Sequence, residues 1–183
     1  MKYSIKDIVD RYNKGEVLKY IFFWGHQPKA EGVVLQECLS QWYDCSFIVD
    51  DVKYSTAEQY MMSQKAMLFK DVETYDKIMQ SNHPKEYKQL GRQVKNFNEA
   101  VWESNRYDIV LKGNLAKFSQ NEPLKEYLLS TNYRVLVEAS PYDTIWGIGC
   151  NRYSNSVTNP NTWQGLNLLG FALMEVRDTI REY

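Results

Sequence analysis

The feature that most constrains this chain lies at its C-terminal end. Leu166, Leu169, Leu173, Val176 and Ile180 recur at alternating spacings of three and four, which places them on one face of an α-helix. Such a stripe has to bury against other elements, and it reads as core rather than as a cofactor-binding surface. The 183 residues suffice for one ordinary domain with a real core. Hydrophobic residues make up 44% and charged residues 25%, the balance of a soluble globular protein.

Similar periodicity predicts most of the remaining elements. Ile5, Ile8, Val9 and Tyr12 suggest a short leading helix ending near Gly15. Leu18 to Trp24 is β-like, and Gly25, Pro28 and Gly32 punctuate a turn before Val33-Val34-Leu35, which suggests a hairpin. Phe47-Ile48-Val49 and Val52-Lys53-Tyr54, joined by Asp50-Asp51, read as a second hairpin. From Ser55 the pattern turns helical, with Ser55 and Glu58 spaced as a capping box. A short helix over Tyr75–Met79 is expected next, then one starting at Pro84 and running through Leu90 and Val94 toward Phe97. Asn98 is placed to cap another, through Trp102 to Leu111, ahead of a polar turn at Lys112-Gly113-Asn114. Pro123–Leu129 makes a further turn or two, and Val135-Leu136-Val137 a short buried strand. The expected architecture is one mainly α domain with a small β-hairpin or sheet element: a helical extension over residues 1–15, then a functional domain over 16–183.

Composition excludes several classes of function. A net charge of −1 argues against general nucleic-acid binding, although a local basic pocket for one or two phosphates fits. With only His26 and His83 a His-rich zinc site is out, and no metal or other cofactor is expected. Cys38, Cys45 and Cys150 lie far apart and read as reduced thiols of a cytoplasmic protein. Met1–Tyr12 is too polar for a signal peptide, and no run of about 18 apolar residues suits a membrane.

Three segments carry candidate chemistry. Glu58 and Lys65 are seven residues apart, on one side of a helix and about 10 Å along its axis. A lysine kept partly dry loses its charge more easily and can attack a carbonyl or imine. Equally, Glu58 can close the capping box and Lys65 can reach to water. Around Gly91, Arg92 and Lys95 share a helical face that fits either a phosphate or plain solvent, and Lys117 raises the same alternative. The run from Glu138 to Gly149 follows a buried strand and holds Asp143, Trp146 and Gly147. There a carboxylate, a stacking face and a close backbone approach suit a ligand, or else a capped turn with Trp146 in the core.

Taken in order, the segments Leu39-Ser40-Gln41-Trp42, Tyr54 to Met62 with Gln64-Lys65-Ala66, Leu90-Gly91-Arg92, Trp102, Arg106, Gly113-Asn114, Lys117-Phe118, Leu136 to Pro141, Asp143 to Gly149 and Trp163 to Gly170 resemble the YbiA-like (NADAR) family. The series runs from about Phe22 to Ile180. Gln59 stands where the family commonly has His, and Asp44-Cys45-Ser46 replaces a Pro-Ser-Pro-like run.

The resemblance implies a compact helical fold and glycosidase activity on N-ribosyl compounds. Two substrate classes go with it: phosphorylated ribosylamino-pyrimidine intermediates of riboflavin synthesis, and guanine bearing ADP-ribose in nucleic acid. In both, the sugar carbon is bonded to an exocyclic amine. On this reading Lys65 is the nucleophile, with Glu58 and Asp143 as general acid and base. In a simpler rival, a carboxylate stabilises an oxocarbenium-like state and activates water. Arg92 and Lys117 are expected at the substrate phosphate and Trp146 on the base. Asn114 and Asn167 are expected at sugar hydroxyls, and Trp102 and Gly147 in the binding surface. The competing class is a module that binds ADP-ribose or a nucleotide without turnover, and a weaker one is an interaction or antitoxin subunit. The titratable pair Glu58 and Asp143 favours an enzyme, since binding an anion has no use for it.

Overall fold

The computed structural model describes residues 1–28 and 32–182. Along the chain run α1 (Ile5–Asn13), β1 (Tyr20–Phe23), a 3₁₀ turn (Gln36–Leu39), β2 (Phe47–Val49), β3 (Val52–Tyr54), α2 (Ala57–Leu68) and α3 (Val72–Gln80). Then follow α4 (Pro84–Gly91), α5 (Glu99–Gln120), α6 (Glu122–Ser130), β4 (Val135–Glu138), a second 3₁₀ turn (Pro160–Thr162) and α7 (Leu168–Glu182). The architecture is mainly α with a small β component. Its contacts fall into two compact units, residues 41–122 and the remainder of the chain on either side.

The unit formed by residues 1–40 and the chain from Pro123 onward is built on a parallel pair. β1 lies beside β4 with Tyr20 opposite Val135 and Phe23 opposite Glu138. The expected hairpin with Val33–Leu35 does not form, and residues 33–35 carry no strand. Val135, Leu136 and Val137 are all buried, the pattern of a strand covered on both faces, for which a parallel partner is more usual than a hairpin. α7 covers β4, and an ideal Cβ on Gly170 would lie only 2.1 Å from the Leu136 carbonyl oxygen. Glycine is therefore what lets the helix touch the strand. Leu169, Leu173, Val176 and Ile180 are buried as the stripe requires, but Leu166 precedes the helix and is 46% exposed. Burial continues from Leu168 through Met174, so the start of α7 is enclosed on every side. α1 is capped by Ser4, whose hydroxyl accepts from the Asp7 N–H at 3.2 Å. Its approach is tied to α7 by the Tyr3 hydroxyl, which donates to Asp178 at 2.6 Å.

Residues 41–122 form the second unit. β2 and β3 make the expected antiparallel hairpin, with Phe47 opposite Tyr54. Asp50 and Asp51 turn it with φ of 50° and 62°, the left-handed pair that a two-residue hairpin loop needs and that Asp tolerates. α2 starts one residue later than expected. Thr56 is its cap, accepting from the Gln59 N–H at 3.1 Å, while the Gln59 side chain accepts from the Ser55 N–H at 2.8 Å. The box thus uses Thr56 and Gln59 and leaves the Glu58 side chain out. α4 stops at Gly91 instead of continuing to Phe97. α5, capped by Asn98 at 3.0 Å, runs straight through the expected polar turn. Gly113 sits inside it because a Cβ there would lie 2.4 Å from the Tyr60 ring. Phe47, Val49, Tyr54, Ala57 and Tyr60 form the core of this unit.

Candidate functional site

Within residues 41–122 the candidate residues gather on α2, α4 and α5. The Lys65 ammonium donates to the Gly91 carbonyl at 2.8 Å. It lies 4.2 Å from the centroid of the Phe97 ring and 5.4 Å from that of Trp102. Burial depresses its pKa below the usual lysine value of 10.5, opposed by the Glu99 carboxylate. Gly91 makes this geometry possible, since a Cβ there would lie 2.0 Å from the Met62 sulfur and would hold α4 away from α2. Lys65 is thus held in place rather than free in water.

Glu58, two turns earlier on α2, is buried. Its backbone N–H donates to the Gln41 carbonyl at 2.9 Å. The Gln41 side chain in turn donates to Asn114 Oδ1 at 3.0 Å, and Asn114 Nδ2 donates to the Val110 carbonyl at 2.8 Å. This chain fixes the start of α2 against the middle of α5. Asn114 is fully buried and engaged on both sides of its amide.

The basic candidates of this unit sit in different settings. Lys117 is fully buried, with its ammonium 5.7 Å from the Tyr43 ring centroid and 5.1 Å from that of Phe118. It stands near Cys45, where its charge partly offsets the rise that burial imposes on the thiol pKa. One turn of helix carries Asn114 and Lys117 inward together, because α5 continues where a turn was expected. Arg92 is exposed at the C-cap of α4, next to the Gly91 carbonyl that holds Lys65. Lys95, beside it in sequence, is paired to Glu73 at 2.6 Å.

Sequence reasoning missed Phe97, Glu99 and the role of Arg106. Arg106 is buried and reaches Glu103 at 3.4 Å, with Glu99, whose charge acts on Lys65, 4.0 Å away. The spacing of Glu99, Glu103 and Arg106 on one helical face was the available signal.

In the other unit the loop after β4 carries Asp143, Trp146 and Gly147. Asp143 Oδ1 accepts from the N–H groups of Ile145 and Trp146 at 2.9 and 2.8 Å, which folds the loop into a tight turn. Gly147 is buried, and a Cβ on it would lie 2.7 Å from the Glu138 carbonyl oxygen. Packing against its own chain, rather than approach to a ligand, accounts for the glycine. Trp146 is half-buried. Asn167 is fully buried, with a φ of 52°. It accepts from the Glu138 N–H at 3.0 Å and donates to the Leu136 carbonyl at 2.9 Å, replacing a strand partner along β4. Its amide therefore has backbone partners on both sides, a structural role that needs no ligand.

Among the described residues no group of three or more His, Cys, Asp and Glu side chains could hold a metal ion. No helix is long and apolar enough to cross a membrane.

A family model described as the NADAR domain matches residues 22–181, and the chain belongs to that family. It is 42% identical over 168 residues to a protein of Acanthamoeba polyphaga mimivirus named N-glycosidase R617, covering 89% of this chain and 97% of that one. It is 33% identical over 138 residues to a Zea mays protein named riboflavin biosynthesis protein PYRR, chloroplastic, covering 72% of this chain but only 20% of that one. The NMR structure of the E. coli protein YbiA superposes with a TM-score of 0.70 at 25% identity, covering 90% of this chain and 86% of that one.

Proposed function

We propose that this chain is an N-glycosidase that hydrolyses the bond between ribose and an exocyclic amine of a base. The substrate of choice is a phosphorylated ribosylamino-pyrimidine. The observation that carries the reading is the setting of Lys65. Its amine is partly dry, held by the Gly91 carbonyl and flanked by Phe97 and Trp102, on the same helix as buried Glu58. A solvated lysine on a helix surface has no need of such a cradle. The names of the mimivirus and maize relatives agree with an N-glycosidase and with riboflavin chemistry respectively.

A glycosylamine, unlike an ordinary nucleoside, opens to an imine at the sugar carbon. The neutral Lys65 amine adds to that carbon, the base amine takes up a proton and departs, and a lysyl Schiff base remains. Water then adds, the C–N bond to Lys65 breaks, and free sugar leaves as the aldehyde. Glu58 is the group assigned to move protons in these steps, and exposed Arg92 the group assigned to the phosphate.

The test is incubation of the protein with ribosylamino-pyrimidine phosphate and, separately, with an oligonucleotide carrying ADP-ribosylated guanine, with Lys65→Ala and Glu58→Ala as controls. Mass spectrometry follows released base and sugar. Turnover of the pyrimidine compound that both variants lose is the expected result. Turnover of the oligonucleotide alone would move the substrate class to ADP-ribosylated guanine. Binding of ADP-ribose without turnover of either would replace the enzyme by a binding module.

A further inference from the structure

At the start of the β1–β4 pair the fold sets two like charges side by side. The Val135 N–H donates to the Lys19 carbonyl at 2.9 Å, and with Tyr20 opposite Val135 the register places Lys19 beside Arg134. Both line one cavity of about 320 Å³, at the lower end of the roughly 300–1,000 Å³ typical of small-molecule sites. Like charges opposite one another on paired strands are destabilising. Neither has a carboxylate partner among the described residues, and Arg134 makes only a long contact, 3.5 Å, to the Ser130 carbonyl. The remaining charges lining the cavity cancel, because Arg11 grips Glu16 through two bonds, one of them 2.7 Å from Nε.

The cavity also has a flat wall. Tyr133, 85% exposed, lies on the same lining. Arg181 braces its turn, with the guanidinium 5.0 Å from the ring centroid and one N–H donating to the Asn132 carbonyl at 3.1 Å. Two cations without a carboxylate partner beside an exposed aromatic ring match an anion attached to another ring. We infer that this cavity is a second ligand site, for a phosphorylated ring compound of mononucleotide size. Residues 11–19 form much of it and precede the family match at 22–181. The site stands independently of the reading of Lys65.

Amide NMR spectra of the whole chain, titrated with adenosine 5′-monophosphate, adenosine and inorganic phosphate, test the site. Saturable shifts at Lys19, Tyr133 and Arg134 are expected with the monophosphate, with weaker binding of the other two probes. Lys65→Ala should bind as the parent does. Lys19→Ala and Arg134→Ala should each weaken binding about fivefold, the effect of about one partly solvated ion pair. Shifts absent from these residues, or unchanged in the Lys19→Ala/Arg134→Ala double variant, would overturn the site. Equal affinity for phosphate and the monophosphate would overturn the role of the ring.

Discussion

Asn167 offers a sharp test because its two possible roles predict opposite phenotypes. Its side chain bonds the Glu138 N–H and the Leu136 carbonyl, both on β4. Truncation to Ala leaves two buried backbone groups unpaired, at about 1–3 kcal/mol each. Ala must also adopt a φ of 52°, which adds about 1 kcal/mol for a residue with a Cβ and no local hydrogen bond. Taking about 1.5 kcal/mol for each unpaired group, the total is about 4 kcal/mol, a large part of a typical domain's stability of about 5–15 kcal/mol. At about 3 °C per kcal/mol for a chain of this size, Asn167→Ala should melt about 12 °C below the parent. Asn167→Gly removes the same bonds without the backbone strain and should recover about 1 kcal/mol. Calorimetry or circular dichroism on the three proteins decides the matter. A variant as stable as the parent, with raised KM alone, would refute the structural role and restore the sugar contact.

Other outcomes follow from particular contacts. Gly113→Ala gains about 1 kcal/mol of helix propensity but drives a Cβ to 2.4 Å from Tyr60; overpacking of about 1–3 kcal/mol wins, so urea melts should show net destabilisation. Asp143→Asn keeps an acceptor for the Ile145 and Trp146 N–H groups and should fold like the parent, whereas Asp143→Ala should lose about 1–2 kcal/mol by the same assay. Because burial lowers the Lys65 pKa from 10.5, the neutral amine gains population as pH rises toward that lowered value. Turnover should rise on this limb and level off below pH 10.5, as a pH–rate profile will show. The same shift has a stability consequence: burial of the charged amine opposes folding below the lowered pKa, and stability recovers as pH rises from there to 10.5.

What was legible in the sequence follows from the range of the interactions. The Asp50-Asp51 hairpin, the Asn98 cap and the C-terminal stripe are local patterns, and each appears in the structure close to where it was read. The β1–β4 pair joins residues more than a hundred positions apart, and nothing in Leu18–Trp24 names its partner. Gly113 looked like a breaker because propensity disfavours it in a helix, whereas packing against Tyr60 requires it there. One continuous helix thus runs where a polar turn is expected, and it buries both Asn114 and Lys117. The cradle of Lys65 depends on a carbonyl 26 residues away, so only the lysine and its spacing from Glu58 could be read in advance.

The central claim is that the Lys65 amine becomes covalently bonded to the sugar. Borohydride added during turnover of ribosylamino-pyrimidine phosphate reduces a Schiff base to a stable secondary amine, which peptide mass spectrometry locates. A sugar phosphate adduct on Lys65, absent without substrate, is the predicted result. Undiminished turnover with no adduct on Lys65 would contradict the claim and leave a carboxylate activating water as the mechanism.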